Sequence, residues 1–130
     1  MAPPRPSPEI LETEWDILEA LWSAQRLTAR AVTEALAGKR GWAYSTVKTM
    51  LDRMADKGLV KARQVGNVWE YEPALPRQKA QRQAWRRFVD LAFGGAVAPT
   101  LAFVAKESKL SAEERASLRK LLDQLEDGDE

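Results

Sequence analysis

The residues whose types and spacing point to chemistry lie between Trp42 and Gly58. Val47, Met50, Leu51 and Met54 recur at i, i+3, i+4 and i+7, which predicts a helix with one buried face. The remaining faces carry Thr46, Lys48, Thr49, Asp52 and Arg53. Ser45 is expected to cap the N-terminus with its hydroxyl, and Gly58 to end the helix in the left-handed conformation. Small hydroxyls and long cations near a helix N-terminus suit reading base edges and holding phosphates. The sequence therefore nominates Ser45, Thr46, Lys48 and Thr49 at base edges, with Tyr44 against a sugar or a thymine methyl. Arg53, Lys61 and Arg63 are nominated at phosphates. Polar residues on one helix face are also what a merely solvated surface looks like. Lys48 and Asp52 stand at the i, i+4 spacing of a simple ion pair, and Lys57 is placed to complement the helix C-terminus.

The elements around this helix decide between those readings. Residues 1–8 are rich in proline and expected to be disordered. Trp15, Leu18 and Trp22, with Ile17 and Leu21 beside them, predict a first helix running to about Ala24, with its tryptophans in the core. Leu27 reads as a short extended link. Thr28 reads as the N-cap of a second helix ending near Ala37, closed by Gly38. After the third helix, residues 59–65 and 68–72 read as two strands around Gly66-Asn67, a strong two-residue hairpin signal. Trp69 and Tyr71 share a strand face and are expected to pack inward. Lys61 and Arg63 share the solvent face of the other strand. Three short helices followed by a two-stranded ribbon make a winged helix-turn-helix.

Beyond Pro73 and Pro76 a long helix is expected from Arg77 to Phe93, broken by Gly94-Gly95, then a helix over 97–106. A last helix begins at Ser111, with Glu114 completing a capping box. Phe88, Val97, Leu101, Val104, Leu118, Leu121, Leu122 and Leu125 give these helices apolar sides without an obvious core of their own. Pairing with a second copy is the expected use of such faces; folding back on the same chain is the alternative. The fold class is thus mainly α with a small β wing: 9–75 a winged-helix DNA-binding domain, 76–126 a helical dimerisation domain, 127–130 an acidic tail.

Composition narrows the chemistry. The 130 residues contain neither cysteine nor histidine, which excludes disulfides, thiolate metal sites and Ser-His-Asp or Cys-His catalysis. No cofactor, metal ligand set or catalytic residue is expected. A net charge of +1 argues against a general polyanion sponge, yet the sign is unevenly spread. Arg77 to Arg87 holds five cations and no acid, while the chain ends in Glu-Asp-Gly-Asp-Glu. The basic run either flanks DNA or pairs with the acidic end across a dimer. No apolar stretch is long enough to span a bilayer and no secretory signal begins the chain, so a cytoplasmic location without membrane insertion is expected.

These residues resemble the penicillinase-repressor family (the BlaI/MecI type). The likeness is carried by Glu14-Trp15-Asp16-Ile17-Leu18 with Leu21-Trp22, by Tyr44 to Val60, and by Gly66-Asn-Val-Trp-Glu-Tyr-Glu-Pro73. It continues through Phe93-Gly-Gly95 and the final Ser111-Ala-Glu-Glu114, covering about Glu12 to Leu125. The resemblance implies a homodimer on an inverted-repeat operator in double-stranded DNA. It also implies release when a membrane sensor-protease, in the best-known members responding to a β-lactam, leads to cleavage of the dimer arm. The matching bond joins Ala102 to Phe103; staphylococcal-type members have Asn before that Phe. Asn67 stands where the family's wing often carries a cation. The cysteine cluster of the related copper-responsive branch is missing, and copper(I) without thiolates has no soft ligands. The other class of reading is a winged-helix protein-interaction module without a DNA role.

Overall fold

The computed structural model describes residues 9–127; the expected disorder of residues 1–8, and most of the acidic tail, lie outside them. In chain order come α1 (Glu12–Ala24), β1 (Leu27–Thr28), α2 (Ala29–Ala35), α3 (Tyr44–Lys57), β2 (Val60–Val65), β3 (Val68–Pro73), α4 (Arg77–Phe93), α5 (Val97–Glu107) and α6 (Ala112–Asp127). Two compact units share them, residues 1–85 and 86–130, the division falling inside α4.

The core of the first unit follows from the apolar spacing. Ile17, Leu18 and Leu21 of α1, Val32 of α2, and Val47, Leu51 and Met54 of α3 are all fully buried. Each such side chain contributes about 1.5–3 kcal/mol by leaving water. Trp15 and Trp22 meet edge to face at 5.9 Å and pack against this cluster, and the Trp22 indole donates to the Leu75 carbonyl at 3.0 Å. Leu27-Thr28 is more than the expected link: it pairs antiparallel with β3, so the sheet has three strands in the order β1-β3-β2. Two residues are too few to show strand periodicity in a sequence. Thr28 also caps α2 as expected, its Oγ1 accepting from the Ala31 amide at 3.1 Å.

Three local expectations are corrected. Ser45 is not the N-cap of α3. Ala43 takes that place with extended backbone, and its carbonyl accepts from the Val47 amide, so Ser45 already lies within the first turn. Helix α2 stops at Ala35 rather than Ala37. The turn that follows is closed at Gly41, with φ +63°, its amide bonding back to the Leu36 carbonyl. Lys57 does more than face a helix end. Its ammonium binds the buried Glu14 carboxylate at 2.7 Å, and the same Glu14 oxygen accepts from the Leu11 amide. One carboxylate thus caps α1 and ties it to the end of α3. The expected Gly58 C-cap is present in left-handed geometry.

In the second unit Gly94 (φ +58°) and Gly95 (φ +87°) end α4, and the Gly95 amide bonds the Val89 carbonyl. Phe93 meets Phe88 and Phe103 edge to face. Val89 and Thr100 are buried, the Thr100 hydroxyl donating to the Ala96 carbonyl. Ser111 and Glu114 form the expected capping box before α6. No single described helix is long and apolar enough to cross a membrane.

Candidate nucleic-acid interface

A helix turns about 100° per residue, so Ser45, Lys48, Thr49 and Asp52 share the side of α3 opposite Val47, Leu51 and Met54. Ser45, Thr46, Thr49, Asp52 and Arg53 are exposed there. Tyr44, at the head of the helix, is 48% exposed. The guanidinium of Arg30 on α2 lies 5.7 Å from its ring centroid. Arg30 was invisible to the sequence reading, because nothing in a local pattern shows that α2 brings its second residue to the start of α3.

Lys48 stands on this face but is not free. Its Nζ donates to both carboxylate oxygens of Asp52, at 2.8 and 3.0 Å, and to the Tyr71 hydroxyl at 2.7 Å. The Tyr71 hydroxyl in turn donates to Asp52 Oδ1 at 3.0 Å. The ammonium is held well above its ordinary pKa, first by the Asp52 bond and then by Tyr71. Burial is the main reason that the Tyr71 phenol is also raised. The i, i+4 pair read from the sequence is therefore present, and a third partner from β3 joins it.

The wing supplies the rest. In its register Lys61 faces Glu72 and Arg63 faces Glu70. Lys61 and Arg63 are exposed and, among the described residues, neither they nor Arg53 sit in an ion pair. Glu72 pairs instead with Arg26 at 3.5 Å. Gly66 alone of the turn residues takes positive φ, +63°, which matches a type II′ hairpin; Asn67 beside it is exposed. Trp69 corrects an expectation. It shares the face of Tyr71, which is buried, yet Trp69 itself is 46% exposed. The ribbon outruns the core: β1 pairs with β3 only as far as Glu70, leaving Trp69 with Val65 and Val68 as an apolar wing tip.

The turn leading into α3 is held partly by charge. The buried Asp16 carboxylate on α1 accepts from Lys39 at 2.8 Å and from Arg40 at 2.5 Å, pinning the turn that precedes α3. Arg40 also lies 5.3 Å from the ring centroid of Trp42. The hydrogen bonds from Lys39 and Arg40 hold the Asp16 carboxyl below the usual carboxylate value, outweighing its burial. A carboxyl whose pKa is lowered by folding stabilises the fold above its unfolded value, near 3.8, and loses that contribution as pH falls through its native value. Urea melts of wild type and Asp16→Asn should therefore differ most near neutral pH, and the gap should narrow as the pH is taken below 3.8; a pH-independent gap would contradict this linkage.

The described residues hold no group of three Asp or Glu placed to share a metal ion. The arm residues Phe88, Val97, Leu101, Leu118, Leu121, Leu122 and Leu125 are exposed, and Val104 is half-buried. Ala102 and Phe103 lie in the middle of α5, both exposed.

Residues 10–124 match the penicillinase repressor family model. The chain belongs to the penicillinase repressor family. Its membership makes it a DNA-binding transcriptional repressor rather than an enzyme. The methicillin resistance regulatory protein MecI of Mammaliicoccus sciuri is 25% identical over 115 residues, covering 88% of this repressor and 93% of MecI. The penicillinase repressor of Bacillus licheniformis is 22% identical over 117 residues, covering 90% and 91%. The solution structure of the DNA-binding domain of the repressor BlaI matches with a TM-score of 0.50 at 25% identity, over 55% of this chain and 87% of that domain.

In this repressor one cation of the basic run after Pro76 is held within its own chain. Arg77 pairs with Glu19 of its own chain at 2.7 Å and lies 5.4 Å from the ring centroid of Trp22. That contact belongs to the first unit and fixes the start of α4 against α1. The sequence could not show it, since Glu19 and Arg77 are far apart in the chain.

Proposed function

We propose that the chain represses transcription as a homodimer on an inverted-repeat operator. Each α3 enters a major groove with Tyr44, Ser45, Thr46, Lys48 and Thr49 toward the bases. Arg53, Lys61 and Arg63 lie along phosphates, with Asn67 at the wing tip beside the backbone. The observation that carries this reading is the outer face of α3, hydroxyl-rich and exposed, beside a wing whose two cations have no ion-pair partner among the described residues. Pairing falls to the region expected at 76–126, through Phe88, Val97, Leu101, Val104 and the leucines of α6, whose apolar surface a second copy would cover.

Release follows by cutting the arm, with a membrane sensor-protease as the upstream partner and the Ala102–Phe103 bond as the site. That bond lies inside a hydrogen-bonded helix, so α5 opens locally before a protease can take it as an extended strand. A repressor released by another signal is the second reading, favoured by Ala102 standing where staphylococcal-type members have Asn. The protein acts in the cytoplasm, where its operator is.

The test is a DNA titration against genomic fragments at two salt concentrations. Each neutralised phosphate adds about 0.9 to the slope of log K against log salt. Replacing Lys61 and Arg63 by Ala in both subunits removes four contacts, so the slope should fall by about 3 to 4 with base preference unchanged. An unchanged slope would take both residues off the phosphates. Absence of any binding in dilute buffer would favour a protein-interaction module instead.

A further inference from the structure

The outward face of α3 carries one group that base reading by hydroxyls and cations does not use. Asp52 sits at the centre of that face, between Lys48 and Thr49 in helical projection and one turn beyond Ser45–Thr49. Its side chain is 56% exposed, against 33% for Lys48. A bare carboxylate facing DNA would repel phosphate. This one is neutralised by the Lys48 ammonium and held in place by the Tyr71 hydroxyl, itself anchored in the core by a ring that is 1% exposed. Three acceptors, Asp52 Oδ1, Asp52 Oδ2 and Tyr71 Oη, lie within 3.0 Å of the Lys48 ammonium. A base therefore competes for this ammonium with the carboxylate and the phenol that already hold it. A carboxylate has about four acceptor directions; three are taken, two on Oδ1 and one on Oδ2, so Oδ2 keeps one open.

We propose that Asp52 is a specificity-determining residue whose carboxylate accepts a hydrogen bond from the exocyclic amine of one cytosine in each half-site. The inference rests on the operator-binding reading and deepens it. Cytosine is favoured over adenine for a physical reason. Both present an amine in the major groove, but adenine places the N7 acceptor beside it, which repels a carboxylate, whereas cytosine places a C–H there. The guanine paired with that cytosine offers only acceptors, O6 and N7, toward which the neighbouring ammonium is attracted. The Lys48–Asp52 pair thus matches the polarity of a C·G pair and mismatches the other three. Tyr71 is a positioning residue: it never reaches DNA, and it fixes where the carboxylate points.

The experiment is selection from a randomised duplex pool with the full chain, followed by sequencing of the bound fraction, for wild type, Asp52→Ala, Asp52→Asn and Tyr71→Phe. The wild type should enrich a motif with one strongly preferred cytosine per half-site. Asp52→Ala should lose that preference by about ten- to a hundred-fold, at that position alone. Asp52→Asn should turn it toward adenine, because an amide both donates and accepts and can bridge N6 and N7. Tyr71→Phe keeps the buried ring and should weaken the preference at the same position. Asp52→Asn keeps the side-chain shape, so it carries the test should Asp52→Ala melt. Identical motifs from wild type and both Asp52 variants overturn the proposal while leaving operator binding intact. Erosion at every position alike also overturns it, by showing a structural role only. A wild type that enriches no motif overturns both the proposal and the reading beneath it.

Discussion

Aspartate at both Leu121 and Leu122 is expected to leave the protein monomeric and to lower its affinity for a full operator by roughly a hundred- to ten-thousand-fold. Both leucines are more than half exposed in the single chain, so the free subunit tolerates the charges. A paired arm does not, because two carboxylates per copy would have to leave water for an apolar seam. The cost on DNA comes from avidity. Once one winged unit of a dimer is bound, the second meets its half-site at a local concentration set by the tether, and that advantage vanishes on splitting. Affinity for an isolated half-site should hardly change, since α6 lies outside the unit that carries α3 and the wing. Sedimentation at micromolar concentration, with titrations on full and half operators, checks both statements. A variant that still sediments as a dimer moves the interface elsewhere, and one that is monomeric yet binds the full site as tightly as wild type removes pairing from the mechanism.

Leu51→Ala acts through the core instead and destabilises the first unit by about 2–5 kcal/mol. Leu51 is fully buried in the cluster that also holds Ile17, Leu18, Leu21, Val47 and Met54. Truncation removes the transfer energy of the side chain and leaves a cavity that neighbours on rigid helices fill only in part. In a unit of this size each kcal/mol lowers the melting temperature by about 4–8 °C, so a drop of more than about 10 °C is expected. DNA binding should survive at low temperature, because the outer face of α3 is untouched, and fail in step with unfolding. Thermal melts followed by circular dichroism, with binding measured on either side of the transition, separate the two effects. A loss of binding without a loss of stability would show that Leu51 shapes the reading face directly.

The two cases differ in how visible they were. Leu51 announced itself, because burial of one helix face imposes a 3.6-residue period that any reader of the chain can recover. The hairpin was equally plain, since Gly66 supplies the positive φ that a two-residue turn requires. The capping box at Ser111 was plain too, because its hydrogen bonds are three residues apart. The outer face of α3 was half visible. Ser45, Thr46, Lys48 and Thr49 could be nominated from type and position, while Asp52 was taken only as a partner for Lys48. Trp69 was misread because alternation tells which face a strand residue occupies but not where the core beneath that face ends.

What the chain order determined alone is whatever depends on neighbours within about one or two turns: the helices and their periods, the wing's turn, and the uneven spread of charge. Folding decided what depends on distant partners. It set Tyr71 against Lys48 and Asp52, Glu14 against Lys57, Asp16 against Lys39 and Arg40, and Arg77 against Glu19. Those contacts join residues 19 to 58 positions apart, where no spacing rule operates. A charged side chain has the same formula whether it is spent on a buried neighbour or left for a phosphate, and only the packed structure says which.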